Sequence, residues 1–164
     1  MNEVTAAVAL GQFRKLDSIR AHCRSLSRRI MTHIGHLKGI QFRRIPDPTG
    51  DSGFEIYFWL PTAELAKQFM AALMERGIPC DRMTGTYSHY AREYCQGAYC
   101  YHPKASPFRH FAEWPAKGYR AVDFPKTELL VDRVVSIPLG TLYRTEDADV
   151  IAEAIQEVHG ELMG

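Results

Sequence analysis

Leu16, Ile19, Cys23, Leu26, Ile30, Ile34 and Leu37 recur at steps of three and four, the signature of one apolar stripe along a helix. The pattern predicts a helix over residues 2–37, with Gly35 and Gly39 bracketing its end. Arg20, Arg24 and Arg28 stand at four-residue steps, which assigns them to a different, solvated face. At ~1.5 Å per residue such a helix is ~50 Å long. A small domain has no use for that length, so part of it is expected to brace something outside the domain.

The pattern then changes period. Ile40 to Ile45 is a short strand candidate, followed by the turn Pro46-Asp47-Pro48-Thr49-Gly50-Asp51. Gly53 to Leu60 reads as a stronger strand, with Phe54, Ile56, Phe58 and Leu60 alternating with Glu55, Tyr57 and Trp59. Its second face is aromatic and is expected to be partly covered. Thr62, after Pro61, is placed as the N-cap of a helix carrying Leu65, Phe69, Ala72 and Leu73 and stopping at Gly77. Ile78 to Met83 is a further short strand. Residues 84–125 form a long irregular stretch rich in aromatics and histidine. Lys126 to Val131 is a brief helix, and Val134 to Leu139 a buried strand. Thr145 is expected to cap a final helix with Val150, Ile151, Ala154, Ile155 and Val158 on its core face and Glu146, Asp147 and Asp149 in its first turn. The order predicts one α+β domain over residues 1–164: a long N-terminal helix and a small, mainly antiparallel sheet of three to five strands, with helices packed on one face.

Composition narrows the class. With 164 residues, 46% apolar and 24% charged, the chain is long enough for one core and ordinary for a globular domain. A net charge of +1 offers no overall attraction to nucleic acid or membrane. No apolar run nears the ~18 residues of a membrane span, and no signal peptide is visible. Cys23, Cys80, Cys95 and Cys100 are too irregular for a disulfide scaffold, so a reducing cytoplasm is the expected location. Charge is distributed unevenly: residues 11–44 hold nine Lys/Arg against Asp17 alone, while residues 145–161 hold six acids and no Lys or Arg. The basic first helix and the acidic last one either pair in the fold or serve different partners.

Several segments, in order, carry a family pattern. They are Met1-Asn2-Glu3 with Ala6-Ala7-Val8 and Gln12-Phe13-Arg14-Lys15-Leu16-Asp17, then Leu37-Lys38-Gly39-Ile40, then the Leu65 to Gly77 helix running into Ile78-Pro79-Cys80. The most specific is Val135-Ser136-Ile137-Pro138-Leu139 followed by Thr145-Glu146-Asp147-Ala148-Asp149-Val150. Together they resemble the C-terminal small domain of DegT-type sugar aminotransferases, pyridoxal-phosphate enzymes of fold type I. Residues 84–125 are not covered by the likeness.

The resemblance implies a helix (1–37) linking this domain to a large cofactor domain that holds the Schiff-base lysine and the acid facing the pyridine nitrogen. None of Lys15, Lys38, Lys67, Lys104, Lys117 or Lys126 stands in the matching context. No catalytic, cofactor-binding or metal-binding residue is therefore expected here, and no pyridoxal phosphate is expected to stay on this chain alone. The intact enzyme would pass an amino group from glutamate to a keto-sugar, nucleotide-linked, for polysaccharide or amino-sugar synthesis. This chain would close the pocket and contact the sugar, with a large-domain subunit or a second copy as partner. Thr86-Tyr87-Ser88-His89-Tyr90 stands, loosely matched, where the family's loop reaches the active site. Tyr99-Cys100-Tyr101-His102-Pro103 lies in an expanded loop beyond it. Tyr87, His89, Tyr101 and His102 are the substrate-binding candidates, since aromatic faces and neutral imidazoles suit a polyhydroxylated sugar. The same aromatics could equally fold the loop onto its own domain. The alternative function is a stand-alone, non-catalytic binding module derived from that domain.

Three rival constellations are weaker. Cys80, His89, Cys95, Cys100, His102 and His110 offer zinc-type ligands, but Cys100-Tyr101-His102 is the only close pair. A Cys95 or Cys100 nucleophile with His102 has no assignable third group. The basic helix from Arg14 to Lys38 lacks the stacking aromatics or helix-turn-helix of a nucleic-acid reader.

Overall fold

A computed structural model of the chain describes residues 2–81, 92, 102, 104 and 121–164. The first helical run is two helices rather than one. Helix α1 covers Glu3–Phe13, capped by Asn2, whose side chain accepts from the Thr5 N–H at 2.8 Å. Helix α2 covers Leu16–Ile34. Between them the Lys15 N–H turns to the Gln12 carbonyl three residues back, and the Ser18 hydroxyl donates to the Lys15 carbonyl. This interrupts the regular ladder where Gly11 has already weakened it. The apolar stripe explains the division, because burial starts only in α2, at Cys23, Leu26, Ile30 and Ile34.

Strand β1 is only Gln41–Phe42, shorter than expected, and pairs antiparallel with β2 (Glu55–Trp59). Helix α3 (Ala63–Glu75) starts at Thr62, whose hydroxyl accepts from the Leu65 N–H at 3.1 Å. It ends as anticipated at Gly77, with φ of 77° and paired bonds from Gly77 N to Met74 O and from Ile78 N to Leu73 O. The strand expected at Ile78 to Met83 is, among the described residues, a single antiparallel bridge from Asp81 to Ser136. A 3-10 turn, Ala121–Asp123, leads into α4 (Pro125–Val131), and β3 (Val134–Pro138) pairs antiparallel with β2. The final helix, α5, covers Thr145–Met163. Arg144 rather than Thr145 occupies its N-cap, and Asp147 reaches back to accept the Arg144 N–H at 2.6 Å.

The described residues thus form an α+β fold with a three-stranded antiparallel sheet, ordered β1-β2-β3. Strand parity decides which side faces the core. Register places Ile56 opposite Ile137 and Phe58 opposite Val135, so these side chains share one face with Leu60 and Leu139. Leu26, Ile30 and Ile34 of α2, Ala66, Phe69 and Leu73 of α3, and Ala148, Ile151, Ile155 and Val158 of α5 cover that face in one apolar cluster. Phe58 lies at its centre, fully buried, with ring centroids 6.1 Å from Phe42 and 5.8 Å from Phe69. Val150, expected on the core side of α5, is instead exposed, because its position lies off the arc defined by Ile151, Ile155 and Val158. On the other face of the sheet Tyr57 and Trp59 are half-buried, and the Trp59 indole donates to the Leu130 carbonyl of α4 at 3.0 Å.

The turn before β2 comes very close to α2. Gly53 has φ of 72°, and a Cβ there would lie 2.8 Å from the Arg24 backbone. Gly77 has the same sense of φ but open space around it. Gly77→Ala should therefore cost about 1 kcal/mol, the conformational penalty alone. Gly53→Ala, which adds a backbone clash to that penalty, should cost about 2–4 kcal/mol. Urea midpoints of the two variants check the ordering, and equal losses would contradict the close approach.

Candidate functional site

Tyr87, His89 and Tyr101 lie outside the described residues, as do Cys95, Cys100 and His110. His102 is described and is exposed. Asp81, beside β3, and the Ala121–Asp123 turn before α4 are the described points flanking that stretch. Among the described residues no three His, Cys, Asp or Glu side chains converge as a metal site.

What the structure does assemble is a set of arginines committed to their own chain. Arg24, assigned from its spacing to a solvated face, is half-buried and donates from Nε to the Asp51 carbonyl and from its terminal amine to the Thr49 carbonyl. Its side chain lies under the turn before β2, where Asp47 accepts both the N–H and the hydroxyl of Thr49 at 2.8 and 2.7 Å. Those donors, with the Gly50 N–H, hold the Asp47 carboxyl below its usual range. Arg43 bonds Asp51 at 2.6 Å and lies over the Tyr57 ring, 5.4 Å from its centroid. A shallow cleft beside this pair is lined by Ser27, Met31, Phe42, Ile45, Glu55 and Tyr57 among others. Sequence had marked Arg43 only as part of a basic run and Asp51 only as a turn residue. Their meeting depends on the β1–β2 register, which no local signal carries.

A second cleft opens between α2 and α5. Arg29 grips Asp149 through one guanidinium edge, donating from Nε at 2.5 Å and from a terminal amine at 2.8 Å, with His33 4.0 Å from the same carboxylate. The Arg29 hydrogen bonds depress the Asp149 carboxyl below its usual range, and Asp149 raises the Arg29 guanidinium in return. The Gln156 amide donates to the His33 carbonyl at 2.8 Å, and His159 Nε2 meets the Lys38 carbonyl at 2.8 Å. Tyr143, Asp149, Gln156 and His159 meet His22, Arg29, His33 and Lys38 in step, so α2 and α5 run parallel. The basic and acidic helices therefore pair within the fold, through the Arg29–Asp149 ion pair and the His33 carbonyl that the end of α2 leaves open.

Pyridoxal phosphate needs a sequestered amine, an acid for its ring nitrogen and a phosphate cradle. Lys15, Lys38, Lys67, Lys104 and Lys126 are all exposed, and none lines either cleft. The described residues do not fit the cofactor. The two described thiols are muted as well: burial raises Cys23 and, with help from Asp81, pushes Cys80 up to about 11. No helix among the described residues is long and apolar enough to cross a membrane.

With this geometry in hand, comparison places the chain. The model of the DegT/DnrJ/EryC1/StrS aminotransferase family matches residues 1–156, and the chain belongs to that family. The fold is that found in the aminotransferase TlmJ from Streptoalloteichus hindustanus, with a TM-score of 0.70 and 14% identity over 100% of this chain and 38% of that one. A protein from Streptococcus pneumoniae assigned as a sugar aminotransferase, in its pyridoxal-phosphate form, also gives a TM-score of 0.70, with 16% identity over 100% of this chain and 37% of that one. A sugar aminotransferase from Micromonospora echinospora gives 0.57, with 18% identity over 96% and 35%. The chain thus spans well under half the length of each solved relative.

Two outcomes follow for the described groups. At pH about 8 a thiol at about 11 holds roughly a hundredfold less thiolate than one near its ordinary value. Cys80 in the native chain should therefore alkylate about a hundredfold more slowly than after unfolding, as read by mass spectrometry of quenched samples. The Asp149 carboxyl, depressed in the folded state, contributes stability above its unfolded pKa and loses it as pH falls through the folded value. The gap between wild-type and Asp149→Asn urea midpoints should accordingly narrow as pH falls below about 4, the ordinary carboxylate value. A gap that stays constant would show that Arg29 does not act through this charge.

Proposed function

We propose that this chain acts as the small-domain portion, over residues 1–164, of a pyridoxal-phosphate-dependent sugar aminotransferase. In that role it closes the pocket and contacts the sugar, while the amine, the ring-nitrogen acid and the phosphate cradle come from a large domain. The reaction would move an amino group from glutamate to a nucleotide-linked keto-sugar. The observation that carries the reading is the family match over residues 1–156, combined with near-complete coverage of this chain by little more than a third of each solved relative. Surface-exposed lysines support the division of labour.

Tyr87, His89, Tyr101 and His102 are the residues proposed to meet the sugar. Rings stack on its apolar faces, and imidazole or phenol groups exchange directional hydrogen bonds with its hydroxyls. These contacts are made equally in ground and transition states, so they should appear in KM more than in kcat.

The reading frame adjoining residue 1 is the first check: a Ser-x-x-Lys-type lysine followed by a Tyr-Arg turn supports the proposal, and unrelated sequence favours the binding module. Biochemically, pyridoxal phosphate and borohydride added to the purified chain should leave no one-to-one adduct. A single modified lysine at full occupancy would overturn the division of labour. In the assembled enzyme His102→Ala should raise the KM for the keto-sugar about tenfold and change kcat less than about twofold. An unchanged KM would remove His102 from the sugar site.

A further inference from the structure

The face of the sheet turned away from the core carries a line of polar groups. Asp81 and Ser136 exchange both backbone bonds, the Asp81 N–H to the Ser136 carbonyl at 2.9 Å and the Ser136 N–H to the Asp81 carbonyl at 3.1 Å. Partners of this kind carry their side chains on one face. On its other side Ser136 stands opposite Tyr57, and the Arg43 N–H donates to the Tyr57 carbonyl at 3.2 Å. Val135 and Ile137 flank Ser136 and belong to the core, so strand alternation sends the serine the other way. Asp81, Ser136, Tyr57 and Arg43 therefore form one line across the sheet, with Glu55 and Trp59 beside Tyr57 on the same face. At ~4.8 Å between neighbouring strands the line is ~14 Å long.

Ser136 is the anomaly in it. It is 5% exposed, yet its hydroxyl has no hydrogen-bond partner among the described residues. A buried hydroxyl without a partner costs stability, which points to a bond with something other than its own fold. Its pairing with Tyr57 is of the non-hydrogen-bonded kind, because both Ser136 backbone groups turn to Asp81. That pairing brings two side chains to their closest approach, ~5 Å between Cβ atoms. A hydroxyl able to donate and accept thus lies between an aromatic ring and the exposed carboxylate of Asp81.

Charge on this face chooses between ligands. Asp81 and Glu55 bring two carboxylates, while the Arg43 guanidinium is bonded to Asp51 at 2.6 Å and lies over the Tyr57 ring. A phosphate would meet two like charges and a guanidinium already neutralised. A pyranose meets what it needs: a carboxylate to accept from one hydroxyl, a serine to exchange bonds with the next, and a ring for its C–H face.

We propose that Asp81 and Ser136 hold neighbouring hydroxyls of a pyranose, whose C–H face rests on the side of the Tyr57 ring that Arg43 leaves open. The line then reads the configuration of the sugar. Equating that sugar with the keto-sugar substrate rests on the functional reading above, whereas the fit to a polyol does not. In sequence Asp81 stands six positions before Tyr87 and eight before His89, so the line leads directly to the other sugar candidates.

Saturation-transfer NMR of the full chain with methyl gluco-, galacto- and mannopyranoside tests this. One epimer should give the dominant signal, strongest from the C–H protons of a single ring face. Ser136→Ala and Asp81→Asn should each lower that signal by about fivefold or more. The urea midpoint of Ser136→Ala should be unchanged or raised, because the hydroxyl has no described bond to lose. A lowered midpoint would show that the hydroxyl serves the fold, and it overturns the proposal. So does the absence of signal from all three sugars, a signal that both variants leave intact, or displacement of the sugar by equimolar inorganic phosphate. The reading frame adjoining residue 1 decides the functional reading separately. A Ser-x-x-Lys-type frame without a sugar signal keeps that reading and removes the line from it. A signal lost in both variants, next to an unrelated frame, keeps the sugar site and makes the chain a sugar-binding module.

Discussion

The apolar layer between one face of the sheet and α2, α3 and α5 is the constraint on which the other features depend. A sheet of three strands this short draws its stability in water from an apolar face that the helices cover. Phe58, Val135 and Ile137 supply that face, and the helices close over it from three directions. Helix placement is therefore not free. Helix α2 must run beside α5 so that both present their stripes to β2 and β3, and their parallel course leaves the His33 carbonyl near the end of α2 beside Gln156 and the Lys38 carbonyl, beyond that end, beside His159. Side chains on one helix thus complete the hydrogen bonding at the end of the other, and the layer fixes where the polar contacts can form.

The same geometry redirects the charge asymmetry. Nine basic residues over 11–44 and six acids over 145–161 invite the idea of two separate partners. Once α2 and α5 lie side by side, Arg29 has Asp149 within hydrogen-bonding distance, and across the α3–α5 contact Arg76 meets Glu157 and Glu161. Exposed pairs of this kind contribute little to stability individually. Their effect is to neutralise surface that would otherwise hold counterions. Arg24 goes further, since its guanidinium donates to two carbonyls of the turn before β2, those of Asp51 and Thr49.

Elements whose signal is periodic burial were legible in the sequence, and those whose signal is pairing or junction geometry were not. The β2 alternation and the α3 caps at Thr62 and Gly77 came through because each is written in adjacent residues. The expected β1 shrank to two residues because strand extent depends on a partner's register rather than on its own hydrophobicity. The single long helix divided because a stripe records where burial occurs, and α1 has none. Thr145 has a suitable capping side chain, but the backbone leaves the helix one residue earlier, at Arg144. At the site the limit is different: Tyr87, His89 and Tyr101 fall outside the described residues, and the Arg43–Asp51–Tyr57 cluster arises from strand pairing that no short motif encodes.

The thiol and carboxyl groups whose pKa shifts in the described part of this chain are held by burial and hydrogen bonds rather than tuned for proton transfer. Catalytic groups need an environment that moves a pKa toward working pH and a pocket that excludes water. Here the shifts go the other way. The Cys80 thiol is driven further from ionising, Asp149 and Asp47 are held as carboxylates by donors, and the described lysines stand in solvent. Each shift is what stable packing produces, and none leaves a group ready to exchange a proton near neutral pH.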